Sequence, residues 1–216
     1  MNDKKAILKI NNQGILLVFP ITNQKEPKSL WSEFFPKTKM RWEWDETGDN
    51  RVGELWALMK RLSVTKQVVY SKWYQGRATF FSIPLFEAML CLYQQNEPEK
   101  KLSRTAKNLL ATLESDSPLS TRELKKLTDL QGKDNNANYT RSMKQLFSQL
   151  FVVAFGEVDD GAFPSLAVGA TQLLYEDLWS RAIKMKPDLA QKIVDEFMPI
   201  GSAVRKYFDK INAGLT

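Results

Sequence analysis

Histidine is missing altogether from the 216 residues. Its absence excludes Ser-His and Cys-His catalytic pairs, and with them zinc sites that depend on imidazole. Cysteine is almost as scarce. The one thiol, Cys91, has no internal partner, so no disulfide frames the chain and a reducing, cytoplasmic setting is expected. No uninterrupted apolar run approaches the ~18 residues a membrane helix needs, so no membrane partner is expected. Near the start, Lys9 interrupts the short apolar run 6–10. No long apolar core or small-residue cleavage site follows it, so no signal peptide is expected. Phosphate-loop and dinucleotide glycine motifs are absent, and neither a cofactor nor a metal is expected. Low-complexity segments are missing too.

What is present suffices for ordinary cores, with 43% hydrophobic residues. The formal charge is +6, unevenly distributed. Residues 1–95 hold 14 Lys and Arg against 9 Asp and Glu, whereas 96–132 hold 7 against 6 and 133–169 hold 3 against 4. The positive excess therefore lies in the first half. This matters because phosphate neutralisation supplies most non-specific DNA affinity.

Hydrophobic period organises the chain around residues 102–169. Leu102, Ala106, Leu109, Leu110 and Leu113 have the spacing of an amphipathic helix over 102–115. Ser120-Thr-Arg-Glu123 reads as a capping box that opens a second helix ending near Leu130. A third helix runs from about Asp134 to Leu150 with Tyr139, Met143, Leu146, Phe147 and Leu150 on one face. The period then changes: 151–158 and 162–168 are strand-like, joined by the turn Asp159-Asp160-Gly161. This order is that of a winged helix-turn-helix.

The first half repeats part of it. A helix over 49–63, with Asp49 as its cap, precedes a hairpin over 67–81 with a Gln75-Gly76 turn. A helix over 83–94 follows, capped by Ser82 and carrying Pro84 in its first turn. In the second half 134–150, 151–168 and 170–184 correspond. Residues 15–20 fit a strand or a buried helix end equally. The polar stretch 94–101 is the best boundary. The expected fold is α+β, tandem winged helix-turn-helix units with extra C-terminal helices. Its divisions are an N-terminal winged-helix-like unit over 1–97, a winged helix-turn-helix over 98–169 and a helical segment over 170–216, broken by Pro199 and Gly201.

Candidate functional residues fall in three groups. Opposite its core stripe, helix 134–150 carries Asn135, Asn138, Arg141, Lys144, Gln145 and Ser148. Asparagine can read adenine and arginine guanine, so these types suit a recognition helix; a plain solvated face has the same composition. The hairpin tip carries Glu157, Asp159 and Asp160, which a phosphate backbone would repel. On the first hairpin, Lys66, Lys72, Trp73, Tyr74 and Arg77 mix cations with aromatics, a set suited to charge and stacking contacts with nucleic acid. Core packing of Trp73 or Tyr74 is at least as consistent with the pattern. Glu43, Asp45, Glu46, Asp49 and Glu54 could hold a divalent metal, though a turn before a helix N-terminus explains them more simply.

Four stretches carry a resemblance. They are Arg41-Trp-Glu-Trp-Asp45, Val69-Tyr-Ser-Lys-Trp-Tyr-Gln-Gly-Arg-Ala-Thr-Phe-Phe-Ser82, Asp116-Ser-Pro-Leu-Ser-Thr-Arg-Glu-Leu124 and Phe155-Gly-Glu-Val-Asp-Asp-Gly-Ala-Phe-Pro-Ser-Leu-Ala-Val-Gly169. Together they resemble the bacterial AlkZ-related proteins, short relatives of the AlkZ/YcaQ DNA glycosylases that unhook interstrand crosslinks. The resemblance spans most of residues 14–180. It implies tandem winged helices around a concave DNA-binding surface and a place in DNA repair. The glycosylases use a Gln-x-Asp or Gln-x-Gln pair, and this sequence contains neither. The catalytic candidates that remain are Glu43, Asp45 and Glu46, in a segment flanked by Trp42 and Trp44, with Glu43 and Asp45 foremost. The expectation is a DNA-binding protein, for damaged or branched DNA, without glycosylase chemistry. The alternatives are a winged-helix scaffold for a protein partner and an active glycosylase with a displaced carboxylate.

Overall fold

Serine hydroxyls fix the starts of helices along the whole chain. Ser82 accepts from the amide of Leu85, Ser103 from that of Ala106, Ser120 from that of Glu123 and Ser202 from that of Arg205. Each satisfies an amide that the first helical turn leaves without a partner. The computed structural model describes residues 1–22, 24–42, 49–158 and 164–214.

The first half runs α1 (Asp3–Gln13), β1 (Ile15–Leu17), α2 (Leu30–Phe34), α3 (Arg51–Ser63), β2 (Val69–Ser71) and β3 (Thr79–Phe81). Helix α4 (Ile83–Gln94) then leads to a short 3-10 turn at Pro98–Lys101. The second half runs α5 (Arg104–Ser115), β4 (Leu119–Ser120), α6 (Thr121–Leu127), α7 (Asn136–Ser148), β5 (Val152–Val158) and β6 (Ser165–Ala170). Four helices close the described chain: α8 (Thr171–Leu174), α9 (Glu176–Lys184), α10 (Pro187–Phe197) and α11 (Ala203–Asn212). The molecule is thus mixed α/β with small sheets.

Element order repeats between the halves more fully than sequence pattern indicated. Each reads helix, strand, helix, helix, strand, strand, and each makes a three-stranded antiparallel sheet, ordered β1-β3-β2 and β4-β6-β5. In both, the second hairpin strand is central and the lone early strand covers its outer edge. The helix α1 was not anticipated. Its apolar residues are sparse and only Ala6 and Ile10 are buried, so its stripe is too narrow to announce itself. Residues 15–17 are a strand, one of the two forms that their pattern allowed.

Four local expectations need correction. Asp49 is not the helix cap: Asn50 holds that position, and the Asp49 carboxylate accepts from the Arg51 amide at 3.0 Å. Helix α6 stops at Leu127 rather than near Leu130. There the Thr128 hydroxyl donates to the Leu124 carbonyl at 2.7 Å and Asp129 turns left-handed. Residues 170–184 are two helices broken at Tyr175, without a side-chain cap at Ala170. The Tyr175 hydroxyl donates to the Val68 carbonyl at 3.3 Å and the Thr171 hydroxyl to that of Leu150 at 2.6 Å. These anchors fix both ends of α8 against the body and explain the break. Finally, the charge of Glu157 is not presented to solvent: its carboxylate is 3.0 Å from Lys60 and 8% exposed. Residues 159–163, and so Asp159 and Asp160, lie outside the described residues.

The first sheet is buried on both faces, as is the second away from the hairpin end of β5 and β6, and strand alternation sorts their side chains into two clusters. Leu16, Tyr70 and Phe80 face one cluster with α1, α3 and the α5–α7 helices. Ile15, Leu17, Val69 and Phe81 face the other, with α4 and α9–α11. The second sheet divides likewise, Val152, Ala154 and Val168 to the first cluster and Val153 to the second. Strand β5 lies beside β2 and α3, and α10 and α9 pack on α4. Each cluster therefore draws side chains from both sides of the 94–101 segment.

Candidate nucleic-acid interface

Helix α7 exists because one stripe, Tyr139, Met143, Leu146 and Phe147, is buried in the first cluster. The opposite face was expected to be available for contacts, but its residues divide into two kinds. Gln145 accepts from the Ser103 amide and donates to the Lys101 carbonyl, both at 3.0 Å, and so ties α7 to the chain entering α5. Asn138 donates to the Thr105 hydroxyl at 3.1 Å. Asn135 donates to the Gln131 carbonyl at 2.9 Å and closes the loop before α7. Ser148 donates to the Gln145 carbonyl and is buried. Amides already engaged in this way cannot read a base edge without giving up those bonds. Arg141 and Lys144 are different: both are exposed, and neither is paired with another described residue.

Beside this face, α6 and α7 enclose a cleft of about 430 Å³ lined by Thr121, Arg122, Lys125, Gln131, Gly132 and Tyr139. Lys125 bridges it, its ammonium 2.8 Å from the Asn136 amide oxygen and 4.5 Å from the centre of the Tyr139 ring. The Tyr139 hydroxyl is buried and without a hydrogen-bond partner, and burial pushes its pKa up. A cationic rim over an aromatic floor suits phosphate and sugar contacts.

The first hairpin also divides. Trp73 is 1% exposed and donates its indole N–H to the Tyr93 hydroxyl at 3.2 Å. Its ring meets Phe81 and Tyr207 edge-on, so it is core and offers no face to a base. Tyr74 is also buried, packed at 5.0 Å on Tyr207. Lys72 is half-buried, and desolvation holds its amine below the usual lysine pKa while Glu157 opposes that shift. Arg77 is exposed at the end of the turn Tyr74–Gly76, and that turn packs against α7. The fold thus brings two groups far apart in sequence, Arg77 with its turn and Lys144 with its helix, to one side of the molecule. Sequence period located α7 and the hairpin separately, but nothing in either pattern could show that they meet.

The acidic group of the first half is only partly described. Glu43, Asp45 and Glu46 lie outside the described residues. Asp49 is paired with Arg51, whose guanidinium is 2.5 Å away and sits over the Phe35 ring at 4.7 Å. That pairing holds the Asp49 carboxyl below the usual aspartate range. Glu54 faces the N-terminal amine at 3.7 Å. No cluster of three His, Cys, Asp or Glu suited to a metal occurs among the described residues. A groove of about 1050 Å³ leads up to this region, with Trp31, Phe35 and Trp42 on its walls and Lys25, Lys37 and Lys39 along it. No helix among the described residues is long and apolar enough to cross a membrane.

Comparison with known proteins gives one match. The protein family described as "AlkZ related" matches residues 2–211, nearly the whole chain. No curated protein and no solved structure matches.

Proposed function

This chain belongs to the AlkZ-related family, and from that premise we propose that it is a tandem winged-helix protein that binds damaged or branched DNA without glycosylase chemistry. The observation that carries the reading is the repeated order helix, strand, helix, helix, strand, strand with its paired three-stranded sheets. In that arrangement α7 takes the place of a recognition helix. The units are 1–97 and 98–169, followed by the helical segment 170–216, whose helices α9 and α10 pack on α4 as a brace, and the two units share cores. Arg141, Lys144 and Arg77 supply phosphate contacts, with Lys72 at the margin. Asn135 and Asn138 contribute by shaping the surface rather than by reading bases, and Trp73 by holding the hairpin turn in place. Neither cofactor nor metal enters the proposal, and the cytoplasm is the proposed location.

The test is binding to duplex and forked DNA by fluorescence anisotropy across a salt series. Affinity falls steeply with salt, because each phosphate contact releases counterions. Replacing Arg141 and Lys144 with alanine weakens binding on every sequence and lowers the logarithmic salt slope by about 1 per lost contact. Salt-independent binding that survives both substitutions would favour the second reading, a protein-interaction scaffold. That reading has its own support in the internal bonds of Asn138 and Gln145 and in the near-neutral charge of 96–169.

Absence of base excision is tested separately. Cleavage through a cationic sugar needs a placed carboxylate or amide, and such groups contribute several orders of magnitude in rate. Single-turnover assays with excess protein on alkylated and crosslinked duplexes are expected to give no abasic product. Product that vanishes in Asp45→Asn or Glu43→Gln would make the segment between Trp42 and Asp49 an active site.

A further inference from the structure

Where the first hairpin turn meets α7, a third concavity opens toward α11. It holds about 390 Å³ and is bordered by Tyr74 and Gln75 from the turn, Lys144 from α7, and Lys206, Tyr207 and Lys210 from α11. Three lysines border it and, among the described residues, no carboxylate does. Lys206 and Lys210 are four residues apart on one helix, a spacing at which like charges disfavour the helix. The nearest acid on α11, Asp209, is instead held by Arg205 at 2.8 Å, and Arg205 also engages Asp195 at 2.6 Å. The lysines are left to one another.

The walls are rigid. Trp73, Tyr74 and Tyr207 pack ring on ring at 4.9 to 6.1 Å, and the Gln75 main chain hydrogen-bonds the Tyr207 hydroxyl. Gln75 itself adopts the left-handed conformation, φ 53 and ψ 32. A side chain other than glycine persists there only when its surroundings enforce it. The ring cluster and the tyrosine hydroxyl are those surroundings. An electropositive concavity with preset walls has the chemistry of an anion site.

We propose that this cleft binds a phosphomonoester and, resting on the DNA-binding reading above, that it seats the terminal phosphate of a DNA strand at a gap or branch. An internal phosphodiester carries one negative charge and lies in a continuous backbone. A terminal phosphate carries about −1.5 to −2 near pH 7 and presents three acceptor oxygens. Three ammonium groups, each with three donors and none an acceptor, match that dianion better than a single charge. Small phosphate esters share the same chemistry, so the experiment must separate them from DNA ends.

The full-length protein is titrated against gapped duplexes identical except for a 5′-phosphate or 5′-hydroxyl at the gap. The phosphorylated gap is expected to bind at least about fivefold tighter, the size of a few charge-assisted contacts at an exposed site. The double variant Lys206→Ala/Lys210→Ala is expected to lose that difference and keep hydroxyl-ended affinity within about twofold. Lys206→Arg/Lys210→Arg, with helicity checked by circular dichroism, is expected to keep it. Equal affinity for the two ends would overturn the cleft assignment while leaving the DNA reading in place. Absence of binding to any DNA would overturn the DNA reading. Titration with a nucleoside 5′-monophosphate then decides the remaining case: binding lost in the alanine pair would keep the phosphomonoester site and overturn its assignment to a DNA end.

Discussion

Among single residues, type alone located the candidate positions but not their roles. The polar face of α7 was legible from its spacing, yet Gln145 and Arg141 look equally available there and have opposite parts. The Gln145 amide bonds the main chain of residues 101 and 103, more than forty positions away, and no local pattern encodes that. Trp73 shows the same limit: a tryptophan beside lysine suits stacking and core packing alike, and only the arrival of Tyr93 and Tyr207 decides for the core. The difference can be measured. Gln145→Ala is expected to lower stability by about 1 kcal/mol, the net worth of a partly exposed pair of hydrogen bonds, and to leave DNA affinity unchanged. Arg141→Ala is expected to do the reverse. Denaturant titration and anisotropy on the same two proteins separate them.

Among elements, those with strong period or a serine cap were legible: α3, α4, α5, α7 and both hairpins. Those that exist for tertiary reasons were not. Helix α1 buries too little to show a stripe, and the break between α8 and α9 comes from bonds to Leu150 and Val68 rather than from a breaker residue. The junction of α1 and β1 gives a prediction that sequence could not. Gly14 sits at φ +72, and a methyl there would stand 2.5 Å from the ring of Phe197 on α10. Substitution therefore meets a backbone penalty and an overpacked contact together. Gly14→Ala is expected to destabilise by about 2–4 kcal/mol, adding roughly 1 for the left-handed backbone to 1–3 for the clash. Pairing it with Phe197→Ala relieves the clash alone, so a double-mutant cycle should recover part of the loss. Full additivity in that cycle would show that α10 does not press on this turn.

For the whole molecule, the boundary at 94–101 marks a repeat in connectivity, and the packing does not follow it. A polar stretch with a proline signals a linker, and sequence has no means of showing that sheets on either side share their cores. Strands β2 and β5 lie side by side, Lys60 pairs with Glu157 across the two halves, and α10 covers α4. A fragment ending near residue 97 would uncover the side of α4 on which α9 and α10 pack and the sides of β2 and α3 that β5 covers. The apolar area lost is more than a half-chain of this size can forgo, since small domains bury only about 60% of their surface to begin with. The chain is therefore expected to unfold as one unit. Tryptophan fluorescence is a discriminating probe, because Trp31, Trp42, Trp44, Trp56 and Trp73 are in the first half and only Trp179 is beyond it. Far-ultraviolet circular dichroism reports instead on helices throughout. Coincident urea transitions by the two probes are expected. If fluorescence changed at lower urea than ellipticity, the halves would be separately stable units, and the shared clusters would be contact without cooperativity.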